Sequence, residues 1–191
     1  MSAFRTVDSR LPRKSNPNFM KRNAMIFGLV LGTILCTNMV FMVNLMYTSP
    51  DFKGNDVLGY AAMLVIFSLI FFGVRNFRNK DLGGYISFGK AFATGFWIAL
   101  LASTMYVVIW LFYYYLFVPD FMEVYTDYVL KQCAADELES KTVEMENMNA
   151  MYKNPLLVVL ITYSEVLPMG LLVALVSALV LKRKPKSEIS A

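Results

Sequence analysis

Residues 156–181 read LLVVLITYSEVLPMGLLVALVSALVL, and Glu165 is the one charged residue among them. An α-helix rises 1.5 Å per residue and the hydrocarbon core of a bilayer is about 30 Å thick, so about 20 apolar residues cross it. Three further apolar runs occupy 24–47, 57–74 and 89–118, and only the last contains a charge, Lys90 at its edge. The sequence therefore predicts an all-α integral membrane protein, a bundle of four transmembrane helices.

The basic residues predict how these spans are oriented. Of the 18 lysines and arginines, 14 fall in the N-terminal tail, the loop between spans two and three, and the C-terminal tail. These three segments lie on one face of a four-span protein, and cytoplasmic loops carry an excess of Lys and Arg. We therefore predict cytoplasmic tails at 1–23 and 182–191, a membrane domain at 24–181, and a periplasmic loop at 119–155.

The periplasmic loop is acidic and has helical patterning. Eight carboxylates stand against three lysines in residues 119–154. One row of apolar and aromatic residues begins at Phe121 and a second begins at Met145, both at helical spacing. We expect a helical hairpin that lies on the outer end of the bundle.

Small residues recur every four positions along three of the spans, which places them on one face of each helix. In lipid no hydrophobic effect draws helices together, so close backbone approach over small side chains is a main source of association. We predict packing within the monomer, with a homodimer as the alternative. The predicted packing residues are Gly28, Gly32, Ala91, Gly95, Ala99, Gly170, Ala174 and Ala178.

Glu165 is the candidate functional residue inside the membrane. A carboxylate in a span costs about 2.5–3.5 kcal/mol even on lenient scales, so it is expected to face a partner or a cavity. Asn38 lies at a matching depth in span one, and Thr104 is close to that layer. Pro168 removes the hydrogen bond to the carbonyl of Ser164, beside the carboxylate. Two interpretations stay open: a structural contact in which a protonated Glu165 bonds Asn38, and a proton or cation site.

The loop between spans two and three is basic and contains Gly83 and Gly84, which predict a turn. Its basic residues are expected to contact anionic lipid headgroups on the cytoplasmic face. They are Arg75, Arg78, Lys80 and Lys90. Residues 84–90 also fit the phosphate-loop pattern G-x-x-x-x-G-K, but Ala91 replaces the Ser or Thr that would hold magnesium, and no strand precedes it. We predict that the chain binds no nucleotide.

Several chemistries have little support. The chain has no histidine, the commonest general base and metal ligand, and its two cysteines, Cys36 and Cys133, are far apart. Met145, Met148 and Met151 could bind Cu(I) through soft thioethers, although a methionine row is more often an apolar helix face. We predict no metal, no cofactor, no nucleic-acid partner and no enzymatic activity.

Four motifs resemble a known family. They are RNFR at 75–78, LGGYISFGKAF at 82–92, YYY at 113–115 and PDF at 119–121. Together they are similar to the bacterial membrane family called domain of unknown function 4199, over roughly residues 20–182. The resemblance implies a small four-span protein of the bacterial inner membrane, and it implies no activity, cofactor or catalytic residue.

Three functions are compatible with these features. The first is a non-catalytic inner-membrane protein that acts as an accessory subunit or partner of another membrane protein. The alternative is a small proton- or cation-coupled transporter that uses Glu165, although the sequence shows no inverted repeat. An enzyme acting on lipids is the third. A water-accessible cavity that reaches Glu165 would favour transport, whereas a dry, closed bundle would favour the accessory function.

Overall fold

The computed structural model describes residues 17–49 and 56–184, whose secondary structure is helical apart from one isolated β-bridge. Within that part of the chain the helices are α1 (Pro17–Thr48), α2 (Asp56–Phe67), α3 (Leu69–Lys80), α4 (Phe88–Leu116), α5 (Phe121–Gln132), α6 (Leu138–Tyr152) and α7 (Pro155–Leu181). Four segments are long and apolar enough to cross a membrane: α1, α2 together with α3, α4, and α7. The predicted four-span, all-α architecture is confirmed.

The ends of three spans differ from the predicted bounds. α1 begins at Pro17, so the last residues of the predicted tail 1–23 belong to a helix. α3 continues to Lys80, beyond the predicted end at 74, because cations in a last helical turn compensate the helix dipole. α4 ends at Leu116 rather than at 118, because Val118 immediately precedes Pro119 and a residue in that position disfavours helical geometry.

α4 is the central helix, and α1 and α7 pack along it. Glycines allow the close approach on both sides. A Cβ built on Gly28 of α1 would lie 2.8 Å from the Leu101 Cδ2 of α4, and a Cβ on Gly95 of α4 would lie 2.8 Å from the Ala174 Cβ of α7. The small residues of α1, α4 and α7 therefore serve contacts inside the monomer.

Span two consists of two helices that meet at Ser68. The Ser68 N–H bonds to the Leu64 carbonyl at 3.0 Å and its hydroxyl donates to the Val65 carbonyl at 2.6 Å, which satisfies the end of α2. α3 packs against α1, α4 and α7 and buries one face. Among the described side chains of α2 only Phe67 is buried. The first half of this span is thus the most loosely packed part of the bundle.

The end of the bundle at which α1 begins and α7 ends is termed the tail end. Here α3 and α4 are joined by a turn in which Gly83 has φ +65° and Gly84 has φ +90°, values that glycine adopts without the steric cost of a Cβ. Ile86 and Arg183 exchange two backbone hydrogen bonds of 3.1 and 2.9 Å. These bonds hold the chain after α7 against the turn.

The opposite end, termed the hairpin end, is covered by α5 and α6, the two helices formed by the residues predicted as a helical hairpin. Phe121 of α5 packs edge-to-face on Trp110 and Tyr114 of α4, with ring centroids 4.8 and 6.4 Å away. The Tyr47 hydroxyl donates to the Asp120 carboxylate at 3.0 Å and so joins the end of α1 to the start of α5.

Candidate functional site

Glu165 lies on α7 at membrane depth. It is ten residues beyond Pro155, the first residue of α7, which corresponds to about 15 Å along the helix at 1.5 Å per residue. Its side chain is exposed on the surface of the bundle. Within residues 17–49 and 56–184 it has no hydrogen bond and no ion pair. Glu165 therefore lies at the surface of the bundle without a bonding partner among the described residues.

An apolar stripe continues from Glu165 along α7. Its members follow one another at intervals of three or four residues and so share one helix face. Leu172, Val176 and Leu179 are 53%, 52% and 49% exposed, and Pro168 is exposed as well. Glu165 is thus the polar group on an otherwise apolar, outward face, which is termed the α7 face below.

Asn38 and Thr104 do not join Glu165 in a bonded polar layer. Asn38 is half-buried on α1, and no hydrogen bond in the described part of the chain links its amide to the carboxyl of Glu165. The Thr104 hydroxyl donates to the Leu100 carbonyl at 2.7 Å and accepts from the Tyr163 hydroxyl at 2.8 Å. Thr104 consequently links α4 to α7 through Tyr163 instead.

Ser164 and Pro168 flank Glu165 on a helix that continues through both. The Ser164 hydroxyl donates to the Ile161 carbonyl of its own helix at 2.7 Å, and Pro168 lies inside α7, which runs to Leu181. The serine hydroxyl is therefore satisfied by its own backbone. The predicted set of five residues is split between the α7 face, the contact between α4 and α7, and α1.

Two tyrosines that the sequence did not single out lie within electrostatic range of Glu165. Tyr106 of α4 is packed against both apolar clusters of the bundle. Tyr152, at the end of α6, packs edge-to-face on Tyr114, with ring centroids 5.6 Å apart. Burial, and after it the charge of Glu165, raises the pKa of Tyr152, so its hydroxyl stays protonated at neutral pH. These phenols are two polar groups in the surroundings of Glu165.

A second buried polar contact lies at the tail end. Asn23 is 5% exposed, its Nδ2 donates to the Gly73 carbonyl at 3.0 Å, and its Oδ1 accepts from the Asn76 Nδ2 at 2.8 Å. These bonds join α1 to α3. The sequence assigns Asn23 to a polar tail, and only the helix that begins at Pro17 makes it an interior residue.

The basic residues predicted to meet lipid headgroups lie at the tail end, on helices rather than in a loop. Arg75, Arg78 and Lys80 lie in the last two turns of α3, and Lys90 lies in the first turn of α4. Arg78 is half-buried and the other three are exposed.

Metal-ligating side chains are not grouped in the described residues: no cluster of three or more His, Cys, Asp or Glu occurs there. Of the two cysteines, Cys36 is buried on α1 and Cys133 is half-buried at the end of α5. The Cys133 thiol lies 3.2 Å from the Leu130 carbonyl.

One family model matches the chain over residues 22–183, and its description is "Protein of unknown function (DUF4199)". No curated protein and no solved structure matches the chain. The matched range covers α2 to α7 completely and α1 from Arg22 onward.

Proposed function

This chain belongs to the DUF4199 family, whose description assigns no activity, and from the geometry we propose that it is a non-catalytic accessory protein that binds another membrane protein through the α7 face. Glu165 is the polar centre of that contact. The observation that carries the proposal is a glutamate that is exposed on an apolar surface of α7 and whose carboxyl group has no hydrogen-bond partner in the described residues.

The energetics favour a partner for this carboxyl group. Hydrocarbon offers no hydrogen bonds, so an unpaired polar group there loses its interaction with water and gains nothing in exchange. Charged residues in spans therefore pair with one another, with backbone carbonyls, or with a water-filled cavity. A helix of another protein that carries a hydrogen-bond donor or a cation at this depth would satisfy Glu165.

A second copy of the chain fits this face less well than a different protein. A two-fold interface brings the same patch of each copy together, so Glu165 would meet a stripe that contains another Glu165, Leu172 and Val176. That stripe offers no basic residue, and two facing carboxylates repel each other unless they share a proton. The small residues that drive dimers in lipid are already used within the monomer.

The packing on the tail-end side of Glu165 supports binding over transport. Phe67, Ile70, Val74, Ile98 and Val166 are each 0% exposed and form one apolar cluster. A solute or proton path from Glu165 to the tail end would have to cross this cluster. The transporter alternative therefore has less support than the accessory function.

The proposal is tested by a photo-reactive amino acid placed at Leu172, with Val30 of α1 as a matched site of similar exposure, 51%. We expect a cross-link to a different membrane protein from Leu172 and not from Val30. Glu165→Leu should reduce this cross-link by about tenfold or more, because a buried donor of the partner is left without its acceptor. Glu165→Gln, which keeps an acceptor, should retain part of it.

Two results would contradict the proposal. A product with twice the mass of the chain would show that a second copy covers the α7 face. A cross-link that Glu165→Leu leaves unchanged would show that the carboxyl group does not contribute to the contact.

We further propose that the protein lies in the bacterial inner membrane with both termini in the cytoplasm and α5 and α6 in the periplasm. The excess of basic residues at the tail end supports this orientation. An impermeant maleimide added to intact spheroplasts should label Cys133 but not Cys36, which is buried in α1. Labelling should disappear in Cys133→Ser. If Cys133 reacts only after permeabilisation, the orientation is inverted.

A further inference from the structure

Three arginines from separate parts of the chain meet at the tail end. Arg75 and Arg78 lie on α3, and Arg183 is the second residue after α7. Arg75 and Arg78 are neighbours three residues apart on α3, and the Arg78 guanidinium bonds the carbonyl of Leu181, two residues before Arg183. The sequence grouped Arg75 and Arg78 with Lys80 and Lys90, and Arg183 joins them only through the fold.

Arg183 is held in place by the core rather than carried on a free tail. Its backbone exchanges two hydrogen bonds with Ile86, whose side chain is 3% exposed. Its guanidinium group lies 5.9 Å from the centre of the Tyr85 ring, within the range of a cation–π contact. The position of this positive charge is therefore set by buried structure.

The side chain of Arg78 is held by two hydrogen bonds and has further N–H donors available. Its Nη1 donates to the Leu181 carbonyl at 3.3 Å and its Nε donates to the Asn79 side chain at 2.9 Å. A guanidinium group has five N–H donors, so these two bonds leave three for another acceptor. The first bond ties the group to the end of α7, beside Arg183.

No carboxylate neutralises this cluster in residues 17–49 and 56–184. The two salt bridges found there, Lys131–Asp127 and Lys141–Glu144, lie at the hairpin end. Asp81 is the one described carboxylate at the tail end, and it forms no ion pair with Arg75, Arg78 or Arg183. Neighbouring like charges repel, so an anion bound among them would relieve that repulsion.

We propose that Arg75, Arg78 and Arg183 form a binding site for a phosphate group. The planar guanidinium fork matches the oxygens of phosphate and binds them through pairs of parallel hydrogen bonds. The ends of membrane spans lie at the depth of lipid phosphates, so the headgroup of an anionic phospholipid is one source. Free phosphate from the adjoining water is the other. The site is independent of the contact proposed for Glu165, which lies elsewhere on α7.

The site is tested by titrating the purified protein in neutral detergent with phosphatidylglycerol, phosphatidylcholine or inorganic phosphate and following its melting temperature. The test variant is Arg75→Gln/Arg183→Gln, and the matched control is Lys80→Gln/Lys90→Gln, which removes two exposed charges from the same end. None of these four side chains is buried, so we expect both variants to fold. The melting temperature without ligand checks this.

A lipid phosphate site predicts that phosphatidylglycerol, and not phosphatidylcholine, raises the melting temperature of the wild type. The apparent affinity for phosphatidylglycerol should fall by about tenfold or more in the arginine pair and by less than about twofold in the lysine pair. The same pattern with inorganic phosphate supports a soluble ligand. An equal loss in both pairs would show diffuse attraction to surface charge and overturn the proposal. The absence of stabilisation by either anion in the wild type would overturn it as well.

If the arginine pair fails to fold, Arg78→Lys takes its place. Lysine keeps the charge and loses the fork, so we expect weaker stabilisation by the phosphate ligand. Unchanged stabilisation would overturn a site that depends on the guanidinium group.

Discussion

Gly95→Ala is expected to destabilise the bundle by about 1–3 kcal/mol, the usual cost of overpacking a core. The new methyl carbon would lie 2.8 Å from the Ala174 Cβ, 3.2 Å from the Ala174 Cα and 3.2 Å from the Ile70 Cγ2. Neither alanine atom can rotate away, because both are fixed to the backbone of α7. The two helices would therefore have to move apart along their closest contact. The melting temperature in detergent measures the effect.

Gly59→Ala is the matched control for this substitution. Gly59 also lies inside a helix, α2, but a Cβ there would meet nothing within 4 Å. Alanine is favoured over glycine in a helix interior by about 0.8–1.0 kcal/mol, so we expect no destabilisation and a small gain. Equal destabilisation by the two substitutions would show that the contact between α4 and α7 does not account for the cost, and it would contradict this prediction.

Asn23→Leu is expected to cost about 1–3 kcal/mol, because it leaves the polar groups bonded to a buried side chain without their partner. The Asn76 Nδ2 loses its acceptor and the Gly73 carbonyl loses a donor. Leucine is branched at the same carbon as asparagine and is larger, so the substitution leaves no cavity and the loss of hydrogen bonds remains. Equilibrium unfolding or the melting temperature in detergent would report the change.

Two comparisons separate this contact from a general effect of removing asparagine. Asn44→Leu on the same helix removes an exposed bond to the Val40 carbonyl and should change stability by less than about 0.5 kcal/mol. The double variant Asn23→Leu/Asn76→Leu should cost less than the sum of the single variants, because residues in contact are not additive. An additive result would mean that the two amides do not stabilise one another.

The local features of the fold were predictable from the sequence. The spans follow from the length of apolar runs, and the turn at Gly83 and Gly84 follows from residues that tolerate positive φ. The break at Ser68 was not predictable, because 57–74 is uniformly apolar and serine is tolerated inside a helix when its hydroxyl bonds to its own backbone. Here that bond, to Val65, lies at the junction of α2 and α3.

The candidate sites were predictable as residues and not as contacts. Glu165 stands out in the sequence as an intramembrane carboxylate, and its depth follows from the helical rise. The depth of a residue in the membrane, however, does not determine which neighbouring helix its side chain faces. Asn38 matches Glu165 in depth without bonding to it, whereas Tyr106 and Tyr152 lie within its electrostatic range.

The sequence by itself determined the membrane class, the number of spans and the distribution of basic residues, because each depends on the local composition of the chain. Tertiary structure alone decided which face of each helix is packed. Helices that are apolar all round give no amphipathic pattern to indicate the buried side. The outward position of Glu165, the contact of Asn23 with α3 and the approach of Arg183 to Arg78 each depend on how the helices rotate and pack against one another, which is a property of the whole bundle.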